Sequence, residues 1–265
     1  SSDVCSSDLR FGRFISIPDI EAQLAPNNYM YTHSMTYTFD NYTNTGLQST
    51  LAVTKNWMLQ LGVSVGSDTM PWNANAKIAN PSPNPLFPGT TMLKDPGAVP
   101  SITGGVRWTS DSGNDSVYVV ADAINSGTWG YNNLQWYGLT AYHKFNEQWH
   151  ISFETYNLHQ NNVLNANNPA AMAAFNAGGT PFSPQYLPFN APGLAQCSSA
   201  AVFACTASVQ TYLAYLNYKA SPLDNISYRI EFYDDKQGQR TGVKTRARRP
   251  MRRMRGVRAP QARAV

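Results

Sequence analysis

Between Tyr29 and Phe39 the odd positions hold Tyr29, Tyr31, His33, Met35, Tyr37 and Phe39, and the even positions hold Met30, Thr32, Ser34, Thr36 and Thr38. Large residues on one side and mostly hydroxyls on the other give the period of two that predicts a strand. Asn41-Tyr42-Thr43-Asn44-Thr45-Gly46 has the composition of a turn, with Gly46 able to take a positive φ. Alternation then resumes. Leu47, Ser49, Leu51 and Val53 share one side, and Gln48, Thr50, Ala52 and Thr54 the other. After Lys55-Asn56, Trp57, Leu59, Leu61, Val63 and Val65 alternate with Met58, Gln60, Gly62, Ser64 and Gly66. Three strands joined by tight turns predict an up-and-down meander.

The non-apolar face of this meander carries Thr, Ser, Gln and Gly and no large charged side chains. A soluble sheet with one wet face would place Lys and Glu there. Hydroxyls and amides suit the wall of a water-filled lumen, with the apolar face toward lipid. Strands of about 9–11 residues, tilted near 45°, cross a bilayer. Tyr29, Tyr31 and Trp57 at strand ends fit an interfacial aromatic girdle. A secreted β-sandwich with one face in a core is the alternative.

Ile102–Ser110 predicts the next strand, with Gly104, Val106 and Trp108 on one face. Beyond Asp111–Asp115, Val117, Val119, Ala121 and Ala123 alternate against Tyr118, Val120 and Asp122. Gln135–Phe145 and Trp149–Asn157 predict a hairpin across Asn146-Glu147-Gln148, as Val209–Lys219 and Ile226–Asp234 do across Ser221–Asn225. Ser67–Pro100 is too long for a turn and too rich in proline for a strand. Leu158–Thr206 predicts another long loop, in which Ala170–Phe175 suits one or two helical turns. Every second connection is the long one, as in membrane barrels, whose two ends differ in loop length. About nine strand segments emerge, and closure of a bacterial barrel takes an even number. The expected fold is therefore all-β: an antiparallel up-and-down transmembrane β-barrel, incomplete, with long external loops.

Charged residues make up only 14% of the 265 residues and aromatics 12%, with 15 Tyr. No apolar run is long enough for a membrane-spanning helix, so any spanning must be by strands closed into a barrel. The net charge of +4 misleads, because Lys244–Val265 holds nine basic residues and no acid. Phe11–Val243 holds 10 basic and 14 acidic residues, a net of −4, which does not point to nucleic acid. The expected barrel domain is 11–243. Residues 1–10 are expected to be non-native: Ser1–Leu9 resembles translated adapter sequence, with a flexible terminus as the alternative. Neither is a signal peptide. The basic stretch 244–265 is expected to be a frame-shifted or disordered end rather than a tail for nucleic acid or anionic lipid.

The segment RFISIPDIEAQLAPNNYMYTHS at 13–34, the string YTFDNYTNTG that follows, and YRIEFYDDKQGQRTG at 228–242 resemble the outer-membrane β-barrel porins described as OmpL-like. The likeness is strong around 12–66 and 226–243 and diffuse between them. It implies a solute channel in a Gram-negative-type outer membrane, read from a chain truncated at both ends. It carries over no residue-level site.

Ile17-Pro18-Asp19 cannot lie mid-ladder, because proline lacks the donor. Arg13–Asn28 is thus expected to be a short strand end followed by a loop or small helix. Asp19 and Glu21 are candidates for a constriction loop, or else solvated loop charges. Arg107, Asp122, Lys144, Glu154, Arg229 and Glu231 fall at wall positions and are candidate pore-lining groups, since rings of charge set ion and solute preference. Opposed charges across a lumen would orient dipolar solutes such as sugars. Tyr142 and Trp136 would stack on sugars or fill space. Cys197 and Cys205 read as a disulfide in an extracytoplasmic loop or as two free thiols.

No catalytic residue, metal or cofactor is expected. The histidines at 33, 143, 150 and 159 lack zinc spacing, and no nucleophile elbow or phosphate loop is anticipated. The expected function is passive diffusion of small hydrophilic solutes. Expected partners are outer-membrane lipid, those solutes and, by analogy with trimeric porins, further copies of the chain, with no nucleic acid. A surface barrel acting as anchor or adhesin, and a secreted glycan-binding β-protein, are the alternatives.

Overall fold

Alternation becomes sheet along most of the described residues. The computed structural model describes residues 7–16, 20–22, 28–41, 43–67, 77–79, 92–94, 99–127, 134–176, 194–221 and 224–242. In order these form β1 (Ser7–Ile15), α1 (Met35–Thr38), β2 (Thr43–Ala52), β3 (Trp57–Ser67), β4 (Lys77–Ala79), β5 (Met92–Lys94), β6 (Ser101–Thr109), β7 (Asp115–Ile124), β8 (Gln135–Lys144), β9 (Trp149–Leu164), α2 (Pro169–Asn176), β10 (Ala204–Lys219) and β11 (Asn225–Asp235). Nine strands make one antiparallel sheet in the order β1-β2-β3-β6-β7-β8-β9-β10-β11, and β4 and β5 form a separate ribbon. Every neighbour in the large sheet is the next large strand in sequence, so the topology is a plain meander. Its outer strands, β1 and β11, do not pair with each other among the described residues.

The strand ends joined through 53–56, 110–114, 145–148 and 220–224 lie at one end of the sheet, and those joined through 16–42, 68–100, 125–134 and 165–203 at the other. The expected rhythm holds and gains a fifth hairpin partner in β1.

Several elements differ from expectation. Tyr29–Phe39 is not a strand: residues 28–32 bend and Met35–Thr38 is a helical turn, α1. Ser34 caps it, its hydroxyl accepting from the Tyr37 N–H at 3.0 Å. Met35 and Phe39 are four apart, a spacing that satisfies both a period of two and a helical turn, so large-small alternation cannot separate the two. The strand opening the meander is instead β1, in register with β2 from Ser7↔Leu51 to Ile15↔Thr43. Residues 43–46 are strand rather than turn. Ser67–Pro100 does contain strand, the three-residue pairs of β4 and β5. β9 and β10 run to 16 residues each, past the expected ends at Asn157 and Val209. Their extension, Ala204↔Leu164 at its tip, is closed by a disulfide between Cys197 and Cys205. Helix α2 follows it where the alanines predicted helical turns, with Asn168 Oδ1 accepting from the Ala171 N–H at 2.9 Å.

Register divides the sheet into two faces. One carries Phe11, Leu47, Leu61, Val63, Ile102, Val119, Tyr137, Tyr212, Ile226 and Ile230, all solvent-exposed. Every one of the nine strands exposes at least one large apolar side chain there. A sandwich would bury this face against a second layer; among the described residues none covers it, and patches of this extent mark contact with a partner or membrane. At the short-turn end it ends in aromatics: Trp57 pairs with Trp108, and Trp149 stacks on Tyr218 with centroids 4.5 Å apart. Trp57 thus takes the girdle position expected of it, and Tyr29 and Tyr31 do not.

The opposite face is polar on β1–β3 and β6, but it is not hydroxyl-lined throughout, as expected. On β7–β11, Tyr118, Val120, Trp136, Tyr156, Leu158, Val209 and Tyr233 form an apolar cluster on which Met35 and Phe39 pack. The described residues between β1 and β2 are therefore folded over this inner face.

Candidate functional site

The connection 16–42 leaves and rejoins the sheet at the long-loop end. Its two ends are tied together where Ser16 Oγ donates to the Asn41 carbonyl at 2.5 Å. Between them it reaches toward the short turns. Tyr29 Oη lies 3.0 Å from Ser152 Oγ, and its ring sits 5.4 Å from that of His150 and 5.2 Å from that of Tyr215.

Polar contacts fix the segment along this path. Glu21, its side chain 1% exposed, accepts from the Ser34 N–H and the Tyr215 hydroxyl, lies 3.1 Å from His33 Nδ1, and faces Arg229 Nη1 at 3.6 Å. Arg229 also donates to the Thr32 carbonyl at 2.7 Å. Glu231 accepts from the N–H of Thr36 at 2.6 Å and its hydroxyl at 2.9 Å, while Tyr156 Oη donates to the Thr36 carbonyl at 2.7 Å. Arg240 donates to the Phe39 carbonyl at 2.8 Å. Glu154 accepts from the Ile20 N–H at 3.0 Å.

Asp122 anchors the other end. It is fully buried and accepts from Asn41 Nδ2 at 2.6 Å, Asn44 Nδ2 at 2.7 Å and Thr103 Oγ1 at 2.5 Å. The ladder is irregular here: the β6–β7 register shifts between Ile102 and Gly104, and Ala123 has φ 53°. Bulges of this kind re-aim side chains.

All six candidates Arg107, Asp122, Lys144, Glu154, Arg229 and Glu231 share the inner face by register. Their surroundings differ. Asp122 and Glu154 are buried, Glu231 and Arg229 hold the in-folded segment, and Lys144 pairs with Glu147 at 2.6 Å beside a short turn. Arg107 is exposed, flanking a recess of about 200 Å³ with Thr50, Lys55 and Thr109. Glu21 lies within the in-folded segment, and Asp19 and the basic stretch 244–265 fall outside the described residues. Trp136 fills space: it is fully buried, and a Cβ on Gly138 would come 2.1 Å from its Cη2. Tyr142 is half-buried, 5.6 Å from the His150 ring. Sequence reasoning missed Asn41, Asn44 and Thr36, whose strand or turn composition gave no sign of a distant partner, and Gln60, which accepts from Tyr118.

At the short turns, the Lys55 and Asn56 side chains hold the Asp111 carboxyl below its ordinary range, with Lys55 Nζ at 2.9 Å. Lys144 does the same for Glu147. Gly62-Val63-Ser64-Val65-Gly66 does match Gly-x-Ser-x-Gly, against expectation, but Ser64 lies inside β3, paired with Gly46 and Ser101, not at the strand-to-helix turn of a nucleophile elbow. Among the described residues no group of His, Cys, Asp or Glu is placed to hold a metal ion, and no helix is long and apolar enough to cross a membrane.

A single meander with a bare apolar outer face, an aromatic rim, uneven loop lengths and an inner face part polar and part covered by one connection has the architecture of the outer-membrane β-barrel class. The chain matches the family described as "Putative beta-barrel porin-2, OmpL-like" over residues 6–256, nearly its whole length. It belongs to that family. No curated protein and no solved structure matches it.

Proposed function

We propose that this protein forms an outer-membrane pore through which small hydrophilic solutes diffuse passively, with the in-folded segment 16–42 narrowing the path. The observation that carries this reading is the segment itself. A connection held over the inner face by Glu21, Thr36, Asn41 and Arg229 covers the apolar cluster on β7–β11 and leaves polar wall on β1–β3 and β6 beside it. Arg107, exposed on that wall, is the group assigned to ion preference. Planar-bilayer recording of the refolded protein tests both parts. Stepwise conductance is expected, and Arg107→Glu should move the reversal potential toward cation preference. A folded, inserted protein that passes no current would overturn the channel; an unmoved potential would remove Arg107 from the ion path.

A further inference from the structure

We propose a saccharide subsite on the inner face near the short turns, formed by the rings of Tyr142, His150 and Tyr29 and the side-chain amide of Asn217. The proposal rests on the reading of that face as a solute path and adds the class of solute. The rings form a strip across β8, β9 and the in-folded segment: Tyr142 to His150 is 5.6 Å and His150 to Tyr29 is 5.4 Å between centroids. All three are half-buried, so each keeps an accessible surface. Tyr29 is held by Ser152, and Tyr215, 5.2 Å away, backs it.

Asn217 stands directly opposite His150 on β10. Its residue is 3% exposed, yet neither Nδ2 nor Oδ1 has a hydrogen-bond partner. A buried amide with two unused donors and an unused acceptor is costly unless something completes it. The partner must offer both a donor and an acceptor, and must fit beside aromatic faces. A hydroxyl on a pyranose does both, because its sugar ring presents C–H patches to the π-faces while adjacent hydroxyls meet the amide. Lys144, the charge next along the Tyr142 face, is already paired with Glu147, which favours a neutral ligand. Few polar groups converging among aromatic walls is the usual makeup of a small-molecule site.

The test is current block in planar bilayers by maltotriose, cellotriose and xylotriose, with thermal unfolding of the same preparations. Millimolar block by at least one sugar is expected. Tyr142→Ala should raise the half-blocking concentration about fivefold, and Tyr142→Phe should keep the wild-type value. Asn217→Leu should raise it about tenfold and leave the unfolding midpoint unchanged or higher, because an unpartnered buried amide has been removed. A lower midpoint for Asn217→Leu would make that amide structural and overturn its role. Channels that conduct but ignore all three sugars would overturn the subsite and leave the pore intact. A folded protein without conductance would bring down both.

Discussion

At the scale of single residues, charge and exposure part company. Alternation alone places Arg107, Asp122 and Glu154 on one face, and the register agrees. It says nothing of what lies over them. Asp122 is enclosed by donors from Asn41, Asn44 and Thr103, one in the connection that leads into β2, one in β2 itself and one in β6. Replacing it by Asn puts an NH₂ where two amide donors already point, and should cost about 2–3 kcal/mol; denaturant unfolding in detergent checks this. Trp136 shows the same limit. Its inward direction is legible, but its role is set by Gly138 on the same strand, over which the indole lies. Gly138→Ala should therefore destabilise the fold by about 1–3 kcal/mol through overpacking, read from the same unfolding curves, whereas Gly113→Ala, where a Cβ meets open space, strains only a turn.

At the scale of elements, hairpins were legible because register and turn composition reinforce one another. β7, β8 and β11 fall within a residue or two of their predicted bounds. α1 was hidden because its apolar pair is four apart, and the tips of β9 and β10 because His159-Gln160-Asn161-Asn162 has loop composition while a disulfide and a bulge hold it in a ladder. Neighbouring turns also cooperate in a way no local pattern shows: Asn56 Nδ2 donates to the Thr109 carbonyl at 2.8 Å and to Asp111 at 2.7 Å, and Lys55 pairs with Asp111. The Asp111 carboxyl titrates below its ordinary 3.8, so this clasp contributes fully above that value and is lost as pH falls through the folded one. Asp111→Asn should accordingly speed amide exchange in residues 110–114 near neutrality and make no difference in strong acid.

At the scale of the whole molecule, the two faces make opposite demands on substitution. Leu61 lies on the bare apolar side, and Leu61→Arg should cost about 2–4 kcal/mol of folding into liposomes if it sits near the bilayer midplane. Thr50, half-buried on the inner wall between Asp8 and Gln60 in the ladder, should accept Lys with little loss. Similar penalties at both sites would contradict a lipid exterior and an aqueous interior.

The in-folded segment also dictates an order of events. It is synthesised between the first two strands, but three of its fastenings are to residues 195, 197 and 201 positions further on: Glu231 for Thr36, Arg229 for Thr32, Arg240 for Phe39. Until β11 arrives, none of these exists. An assembling chain therefore carries this segment only partly fastened, by Asp122, Ser152, Glu154, Tyr156 and Tyr215, until its last ties form. Protease added during stepwise refolding should cut between Tyr29 and Asn41 faster in species that lack β11 than in those where the final hairpin has docked; equal rates would show that the earlier strands alone hold the segment.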